Sequence, residues 1–159
     1  MIGLAVACVI LAAPARAAGT WTWPVVGPVI RPFDPPDSPY GSGHRGIDIA
    51  APIGTPVRAA ATGIVSFAGS VGGNLFVTVD HGAGLLSTYG WLSARSVSKD
   101  QVVRQGEVIA SSGLGDRDVP PTHLHFGVRL NGMYVDPLEY LAPASVVGLI
   151  RLAPIDSAA

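Results

Sequence analysis

Residues 43–50 read Gly-His-Arg-Gly-Ile-Asp-Ile-Ala, and the second half of this stretch has the pattern of a β-strand. Ile47 and Ile49 alternate with Asp48 and an alanine, which is the period of a strand that buries one face. Asp48 is therefore expected on the face opposite the two isoleucines. Because glycines on both sides of His44 disfavour a helix, we expect a loop to place this histidine beside the strand.

The rest of the chain continues the β pattern in short runs rich in valine, threonine and aromatic residues. The expected strands are residues 62–68, 75–81, 85–91, 108–112 and 124–130. Glycine-rich connections at 69–74 and 82–84, and the pair Asn131 and Gly132, are typical of antiparallel hairpins. With 20 glycines and 14 prolines, long helices are disfavoured, and only a short helical turn is expected at 138–141. The sequence therefore predicts a mainly β, antiparallel single domain.

Length and composition exclude several classes of protein. At 159 residues the chain suits one domain and is too short for two ordinary ones. Charged residues make up 13% of the chain and the net charge is -1, so a nucleic-acid partner is not expected. The single cysteine, Cys8, lies in the N-terminal apolar run. A mature chain without that run has no thiol for a disulfide, a catalytic thiolate or a cysteine-based zinc site.

Residues 1–17 predict export. An apolar run ends in Ala15-Arg16-Ala17, which has the small-residue form of a signal-peptidase site, so the mature chain is expected to begin near Ala18. The start of the run has no lysine or arginine, and a membrane anchor is the competing interpretation. Since the run is shorter than the roughly 20 apolar residues that span a bilayer, no stable membrane span is expected in the mature form.

Three further segments follow the predicted signal. Residues 18–40 contain Trp21, Trp23 and six prolines, and are expected to form an extended lead-in that packs on the domain. Glycan stacking is a second interpretation of the two tryptophans. Residues 41–141 are assigned to the main domain, and residues 142–159 to a C-terminal tail.

Three of the four histidines fall in two compact groups that carry the candidate chemistry. His123 and His125 are two residues apart on a predicted strand, so both project from one face while Leu124 points into the core. Two imidazoles on one strand face pack poorly and favour a metal, an anion or a substrate. His44 and Asp48 form the second group.

Two histidines and one aspartate would make a three-ligand zinc set, which is a catalytic arrangement because it leaves the fourth position to water. The alternative is that His44 and Asp48 form a hydrogen-bonded pair on the surface and that the two neighbouring histidines are a coincidence. The occurrence of both groups on predicted β structure favours the metal site.

Several motifs between about His44 and Leu138 together resemble the lysostaphin-type zinc metallopeptidase domain. They are Gly43-His44-Arg45-Gly46-Ile47-Asp48-Ile49-Ala50, Gly54-Thr55-Pro56-Val57, Ala61-x-Gly63-x-Val65, Asp80-His81-Gly82, Gly106-Glu107-Val108-Ile109 and His123-Leu124-His125-Phe126. The resemblance implies that one zinc ion per chain is bound by His44, Asp48 and His125. It places His123 beside the metal as a catalytic residue. It also implies an antiparallel, barrel-sandwich-like sheet with a groove over the metal.

The same resemblance implies a function. Members of that family cut peptide cross-links of bacterial peptidoglycan with a metal-activated water. An exported zinc endopeptidase that acts on stem peptides or cross-bridges in the bacterial cell envelope is therefore expected. The choice between glycine bridges and D-alanyl or diaminopimelate cross-links stays open, because it depends on groove loops such as residues 113–122. The oligomeric state stays open as well.

One position departs from the family pattern. Where endopeptidases of the family carry a second catalytic histidine in Tyr-x-His-Leu, this chain has Tyr89-Gly90-Trp91-Leu92. The indole of Trp91 can donate a hydrogen bond but has no basic nitrogen. Two functions therefore remain open. One is a slow or narrowly specific endopeptidase, and the other is a zinc-binding, non-catalytic domain that binds the wall or regulates a hydrolase.

Three other side chains need an assignment. His81 ends a predicted strand and is expected to hydrogen-bond the backbone of the following turn rather than to act as a fourth ligand. Asn74 and Tyr89 are candidates for the groove wall, with ordinary turn and sheet roles as the alternative.

Overall fold

The computed structural model describes residues 20–38, 41–116 and 119–143, and these residues form ten strands and one short 3-10 helix, Pro137–Glu139. The strands are β1 (Val29–Arg31), β2 (Ile47–Ala50), β3 (Pro56–Arg58), β4 (Gly63–Val71), β5 (Asn74–Asp80), β6 (Leu85–Arg95), β7 (Val102–Val103), β8 (Val108–Ser112), β9 (His123–Leu130) and β10 (Met133–Val135). The predicted signal, residues 1–17, and most of the predicted tail lie outside the described residues. The described residues contain no helix with the length and hydrophobicity of a transmembrane span.

All ten strands belong to one sheet, and all of their pairings are antiparallel. The main path runs β1-β2-β9-β6-β5-β4-β7, while β10 pairs with β9 and β8 pairs with both β3 and β6. This arrangement confirms the predicted mainly β, antiparallel fold. It also makes β2 and β9 neighbours, and these two strands carry the candidate ligand motifs.

Each predicted strand forms, but some boundaries and connections differ from the predictions. The loop predicted at 69–74 is wrong, because β4 and β5 continue through it to a two-residue turn at Gly72 and Gly73. Both glycines have positive φ, as this kind of turn requires. Strands β1, β3 and β7 were not predicted. β1 lies at the edge of the sheet, where flanking prolines are tolerated because one side of the strand needs no partner.

The core lies on one face of β2 and β9. Ile47 and Ile49 are fully buried, and so are Leu124 and Phe126 on the neighbouring strand. The alternation in the sequence therefore predicted the apolar face correctly. The residues between them point to the opposite face, which is where Asp48 and the histidines of β9 meet.

The lead-in packs on the domain through its tryptophans. The ring of Trp21 is buried, with centroids 5.1 Å from Tyr140 and 4.6 Å from His81. Its backbone N–H donates to the carbonyl of Tyr140, and the indole N–H of Trp23 donates to the carbonyl of Ala142 at 2.8 Å. These contacts join the lead-in to the end of the domain and to the first residue of the tail, and they support packing rather than glycan stacking for Trp21.

His81 and Tyr89 belong to one internal hydrogen-bond network. The Nδ1 of His81 donates to the carbonyl of Thr62 at 2.9 Å, and its Nε2 is 2.8 Å from the Ser87 hydroxyl. Burial lowers the pKa of His81, although the Thr62 carbonyl and the nearby Asp80 favour the protonated ring. His81 is thus bonded locally, as expected, but to a neighbouring strand end and a serine rather than to the turn after it.

The hydroxyl of Tyr89 closes this network in the core. It accepts the backbone N–H of Ala60 at 2.7 Å and is hydrogen-bonded to Ser87 at 3.1 Å. Burial raises the pKa of Tyr89 to about 12, although both hydrogen bonds oppose the shift. Since the side chain is fully buried in the core, Tyr89 has a structural role and does not line the groove.

Replacing Tyr89 by phenylalanine should leave the Ala60 N–H buried without an acceptor. An unsatisfied buried donor costs about 1–3 kcal/mol, so the free energy of unfolding should fall by about that amount in urea titrations. Tyr134→Phe is the matched control, because Tyr134 is exposed on β10, and its change should stay within about 0.5 kcal/mol. Equal stabilities of the two variants would contradict the role assigned to the Tyr89 hydroxyl.

Candidate metal centre

The candidate site forms where β2 pairs with β9. In this register Asp48 stands opposite His125, and Ile49 stands opposite Leu124. Directly opposed residues project from the same face of a sheet, so the carboxylate and the imidazole meet on the face away from the core. A Cβ at Gly46 would lie 2.9 Å from the His125 ring. Glycine at this position therefore gives the ring its space.

His44 is placed by the lead-in. Its backbone N–H donates to the carbonyl of Asp34 at 2.7 Å, and its own carbonyl accepts the Asp34 N–H. The ring Nδ1 donates to the carbonyl of Pro32 at 2.7 Å. In the neutral ring this bond holds the proton on Nδ1 and makes the Nε2 lone pair available to a metal ion, and in the protonated ring Nε2 donates to Asp48. Sequence patterns give no signal for Pro32, because the residue contacts His44 through its carbonyl oxygen and not through its side chain.

Three ligand atoms converge at this point. The Nε2 of His44 is 3.1 Å from the Oδ1 of Asp48 and 3.1 Å from the Nδ1 of His125. The same Asp48 oxygen is 2.9 Å from the His125 Nδ1. Ligands of a tetrahedral zinc ion at about 2.05 Å are about 3.3 Å apart. The three atoms therefore fit a single small metal ion, and two imidazole nitrogens with one carboxylate oxygen suit zinc.

The carboxylate of Asp48 is held in its charged form. Burial by itself would raise the pKa of Asp48, but hydrogen bonds and charge from His125 and His44 outweigh it and lower the pKa well below its usual range. The side chain is only 2% exposed. A buried, ionised carboxylate needs a cationic partner, which a metal ion would provide.

His123 lies beside this set and is fully buried. Its Nδ1 donates to the carbonyl of Pro121 at 2.9 Å, while its Nε2 accepts the backbone N–H of Asp116 at 3.0 Å and is 3.9 Å from the Oδ2 of Asp48. Gly115 covers the ring so closely that a Cβ there would lie 2.5 Å from it. The His123 ring thus lies next to the candidate ligands, and its Nε2 lone pair accepts a hydrogen bond from the backbone amide of Asp116.

Trp91 stands at a bulge in β6. Val77 pairs with Tyr89 and Leu75 pairs with Leu92, so two residues of β6 face one residue of β5. Trp91 has φ of 60°, a left-handed conformation that is uncommon for a non-glycine residue. At this bulge the indole faces the cavity that contains the candidate ligands, and its ring centroid lies 5.8 Å from that of Phe76. β6 then continues to Arg95, beyond the strand end predicted at residue 91.

The three candidate ligands lie in a pocket of about 330 Å³, here called the metal pocket, and this pocket adjoins a larger groove of about 830 Å³. Trp91 and Asp116 line both cavities. The pocket is lined by Arg31, Gly43, His44, Arg45, Asp48, Phe76, Trp91, Asp116 and His125. The groove is lined by Ile53, Gly72, Gly73, Asn74, Trp91, Leu92, Ser93, Gly113, Leu114, Gly115 and Asp116. Asn74 is therefore a groove residue, and His81 lines neither cavity.

Comparison with known proteins gives a consistent family assignment. Residues 42–137 match the model of peptidase family M23. The chain is 36% identical over 126 residues to the uncharacterized lipoprotein YgeR of Escherichia coli, covering 77% of this chain and 47% of the relative. It is 45% identical over 101 residues to the DD-carboxypeptidase/endopeptidase Mpg of Neisseria meningitidis, covering 63% and 23%. It is 37% identical over 125 residues to the murein hydrolase activator NlpD of Escherichia coli, covering 77% and 31%. The chain thus spans less than half the length of these relatives.

Solved structures of similar fold agree with this assignment. Csd3 of Helicobacter pylori superposes with a TM-score of 0.67 at 29% identity, over 80% of this chain and 36% of that one. A zinc-containing peptidase from Vibrio cholerae superposes with a TM-score of 0.66 at 28% identity, over 77% and 40%. Both structures therefore share the fold of this chain.

The geometry predicts which side chains a metal ion needs. Asp48→Ala removes the only carboxylate of the converging set and should lower the zinc content from about one ion per chain to near zero. His123→Ala should keep the zinc, because the His123 ring is bonded to Pro121 and Asp116 instead. Elemental analysis after zinc loading and desalting measures both. An empty site in His123→Ala with zinc retained in Asp48→Ala would reverse the assigned roles.

Proposed function

This chain belongs to peptidase family M23, and from that membership we propose that it is a zinc endopeptidase that cuts peptide cross-links of bacterial peptidoglycan. The observation that carries the proposal is the convergence of one atom each from His44, Asp48 and His125 at the floor of an open pocket. Zinc bound by these atoms would supply an activated water and would polarise the scissile carbonyl. One zinc ion per chain is expected.

His123 is the proposed acid or base of the reaction. Its Nε2 lies 3.9 Å from Asp48, so it can reach a water molecule next to the ligand set. In the present arrangement the Asp116 amide donates to that nitrogen. His123 can hold a proton of the attacking water only after this amide moves away, so a shift of the backbone at Gly115 and Asp116 is part of the proposed cycle.

Trp91 is the proposed reason for a low or narrowly directed activity. It lines the pocket where a second histidine would be expected from the family pattern, and its indole N–H can only donate a hydrogen bond. A donor at this place can stabilise the carbonyl oxygen of the substrate but cannot transfer a proton to the leaving amine. Because a positioned acid or base contributes typically 10²–10⁴-fold to the rate, its absence at position 91 is expected to lower the rate of cleavage by a factor in that range.

A second candidate function is a zinc-dependent binder that regulates another hydrolase. The indole at position 91 favours it, and so does the likeness to NlpD, a protein named as a murein hydrolase activator. For either function we propose that the protein acts in the cell envelope. The lipoproteins and activators among its relatives, and the predicted export signal at residues 1–17, support that location.

Purified mature protein that carries zinc should convert cross-linked muropeptides of peptidoglycan into uncross-linked ones, as measured after digestion of the glycan strands with a muramidase, and the conversion should stop when a chelator removes the metal. Separate digests of glycine-bridged and diaminopimelate-linked walls, followed by mass spectrometry, identify the bond that is cut. Full zinc occupancy and binding to the wall without any cleavage would support the regulatory function instead.

Trp91→His should raise the rate of cleavage by about 10²-fold or more, because it restores a basic nitrogen in the pocket. Histidine is one of the residues that accept positive φ, so the bulge should survive the change. Turnover of a defined cross-linked muropeptide is the measurement, with zinc content determined in parallel and expected to stay at the wild-type level.

Trp91→Phe is the matched control, because it keeps an aromatic wall without a basic nitrogen. Its rate should not exceed that of the wild type. An equal gain in Trp91→His and Trp91→Phe would mean that the indole only obstructs the pocket.

A further inference from the structure

A bulge in β1 points Arg31 toward the metal pocket. Val29 pairs with Ile49 and Arg31 pairs with Asp48, so two steps along β1 correspond to one step along β2. Paired residues share a face of the sheet. Val29 therefore packs against the core, while Arg31 shares the face of Asp48 and lines the pocket. Without the bulge the regular alternation would turn Arg31 toward the core.

The guanidinium of Arg31 has no protein partner at this position. Among residues 20–38, 41–116 and 119–143, no side chain or backbone group forms a hydrogen bond or an ion pair with it. The residue is half-buried. A guanidinium presents a planar fork of N–H donors that matches the two oxygens of a carboxylate. The structure thus offers an unused carboxylate receptor in the same pocket as the ligand set.

The two cavities differ in their cationic side chains. The metal pocket contains Arg31 and Arg45 as well as Asp48 and Asp116, and the Asp48 carboxylate is matched by His44 and His125. The adjoining groove contains Asp116 but no lysine or arginine, and it is lined in part by four glycines. A bound peptide would therefore place an anionic group on the pocket side and uncharged backbone in the groove. The pocket volume of about 330 Å³ is at the small end of ligand sites, so the part of the substrate on the Arg31 side is short.

On the basis of the proposed function, we propose that Arg31 binds a free α-carboxylate on the residue that supplies the scissile nitrogen. Such a carboxylate is separated from that nitrogen by a single carbon, which matches a guanidinium that lines the same small pocket as the ligand atoms. In the hydrolysis the water oxygen bonds to the acyl carbon, the C–N bond breaks, and the leaving amine takes up a proton. The carboxylate on Arg31 holds that amine in place.

This subsite selects between the two kinds of cross-link. In a D-alanyl to diaminopimelate link, the carbon that bears the scissile nitrogen also bears a free carboxylate, and the same is true of a terminal D-alanyl-D-alanine. Within a glycine bridge, the carbon next to the scissile nitrogen bears no free carboxylate. The protein should therefore act on diaminopimelate-type links and on D-alanine ends and should leave glycine bridges intact.

The test compares a diaminopimelate-linked muropeptide with the same molecule carrying a carboxamide in place of that one carboxylate. In wild type, kcat/KM should favour the carboxylate by about 10- to 100-fold, the range of a charge-assisted hydrogen bond. In Arg31→Gln the preference should fall to within about twofold. Arg58→Gln removes an equal charge from β3, outside both cavities, and should keep the wild-type preference. A D-alanyl-D-alanine peptide and its amide form a second pair that distinguishes terminal trimming from cross-link cleavage.

Binding gives a readout that does not need turnover. Titration calorimetry of both muropeptides with metal-free protein, and with zinc-loaded His123→Ala, should show the same carboxylate preference and its loss in Arg31→Gln. Preferential binding without cleavage would retain the Arg31 subsite and reject the endopeptidase. Cleavage of the carboxylate and carboxamide forms at equal rates, or efficient cleavage of a glycine bridge, would overturn the subsite and leave the endopeptidase standing.

Discussion

The pairing of β2 with β9 holds the core and the candidate site in one register. Ile49 lies opposite Leu124 in the core, and Asp48 lies opposite His125 on the other face. Because side chains alternate along a strand, a slip of one residue would send the ligands into the core and the isoleucines into the groove. Burial of apolar surface stabilises the pairing by about 25 cal/mol per Å². The same hydrophobic energy therefore positions the candidate metal ligands.

The lead-in is part of the site and not only a strap around the domain. The Pro32 carbonyl sets the ring of His44, and the bulge in β1 directs Arg31 to the face of Asp48. The lead-in is in turn attached to the end of the domain through Trp21 and Tyr140. The segment that carries Arg31 and Pro32 is thus also held by contacts far from the pocket.

The pocket combines features of an enzyme with features of a binding domain. For the proposed endopeptidase, the converging candidate ligands and the adjoining groove suit an extended peptide, whereas the indole of Trp91 and the covered ring of His123 would limit proton transfer. The groove and the covered His123 ring share one segment, because the backbone at Gly115 and Asp116 both covers His123 and lines the groove. A peptide in the groove would contact the same segment that holds the His123 lone pair.

The sequence by itself predicted most of the strands and the apolar faces, because alternation is a local property of the chain. It also marked His44, Asp48, His123 and His125 as candidates, and the family resemblance then separated the three expected ligands from His123. The sequence also located the replacement at Trp91. Only the tertiary structure decided the positions of Pro32 and Arg31 at the site, since Pro32 contacts His44 through its carbonyl and the direction of Arg31 depends on a bulge.

The covering of His123 was likewise invisible in the sequence, because a loop amide makes the contact. Asp48 and His125 meet across 77 positions of the chain, and His44 and His125 meet across 81. Local patterns can name such residues as candidates. Their convergence depends on strand register and on bulges, which arise only when the whole sheet assembles.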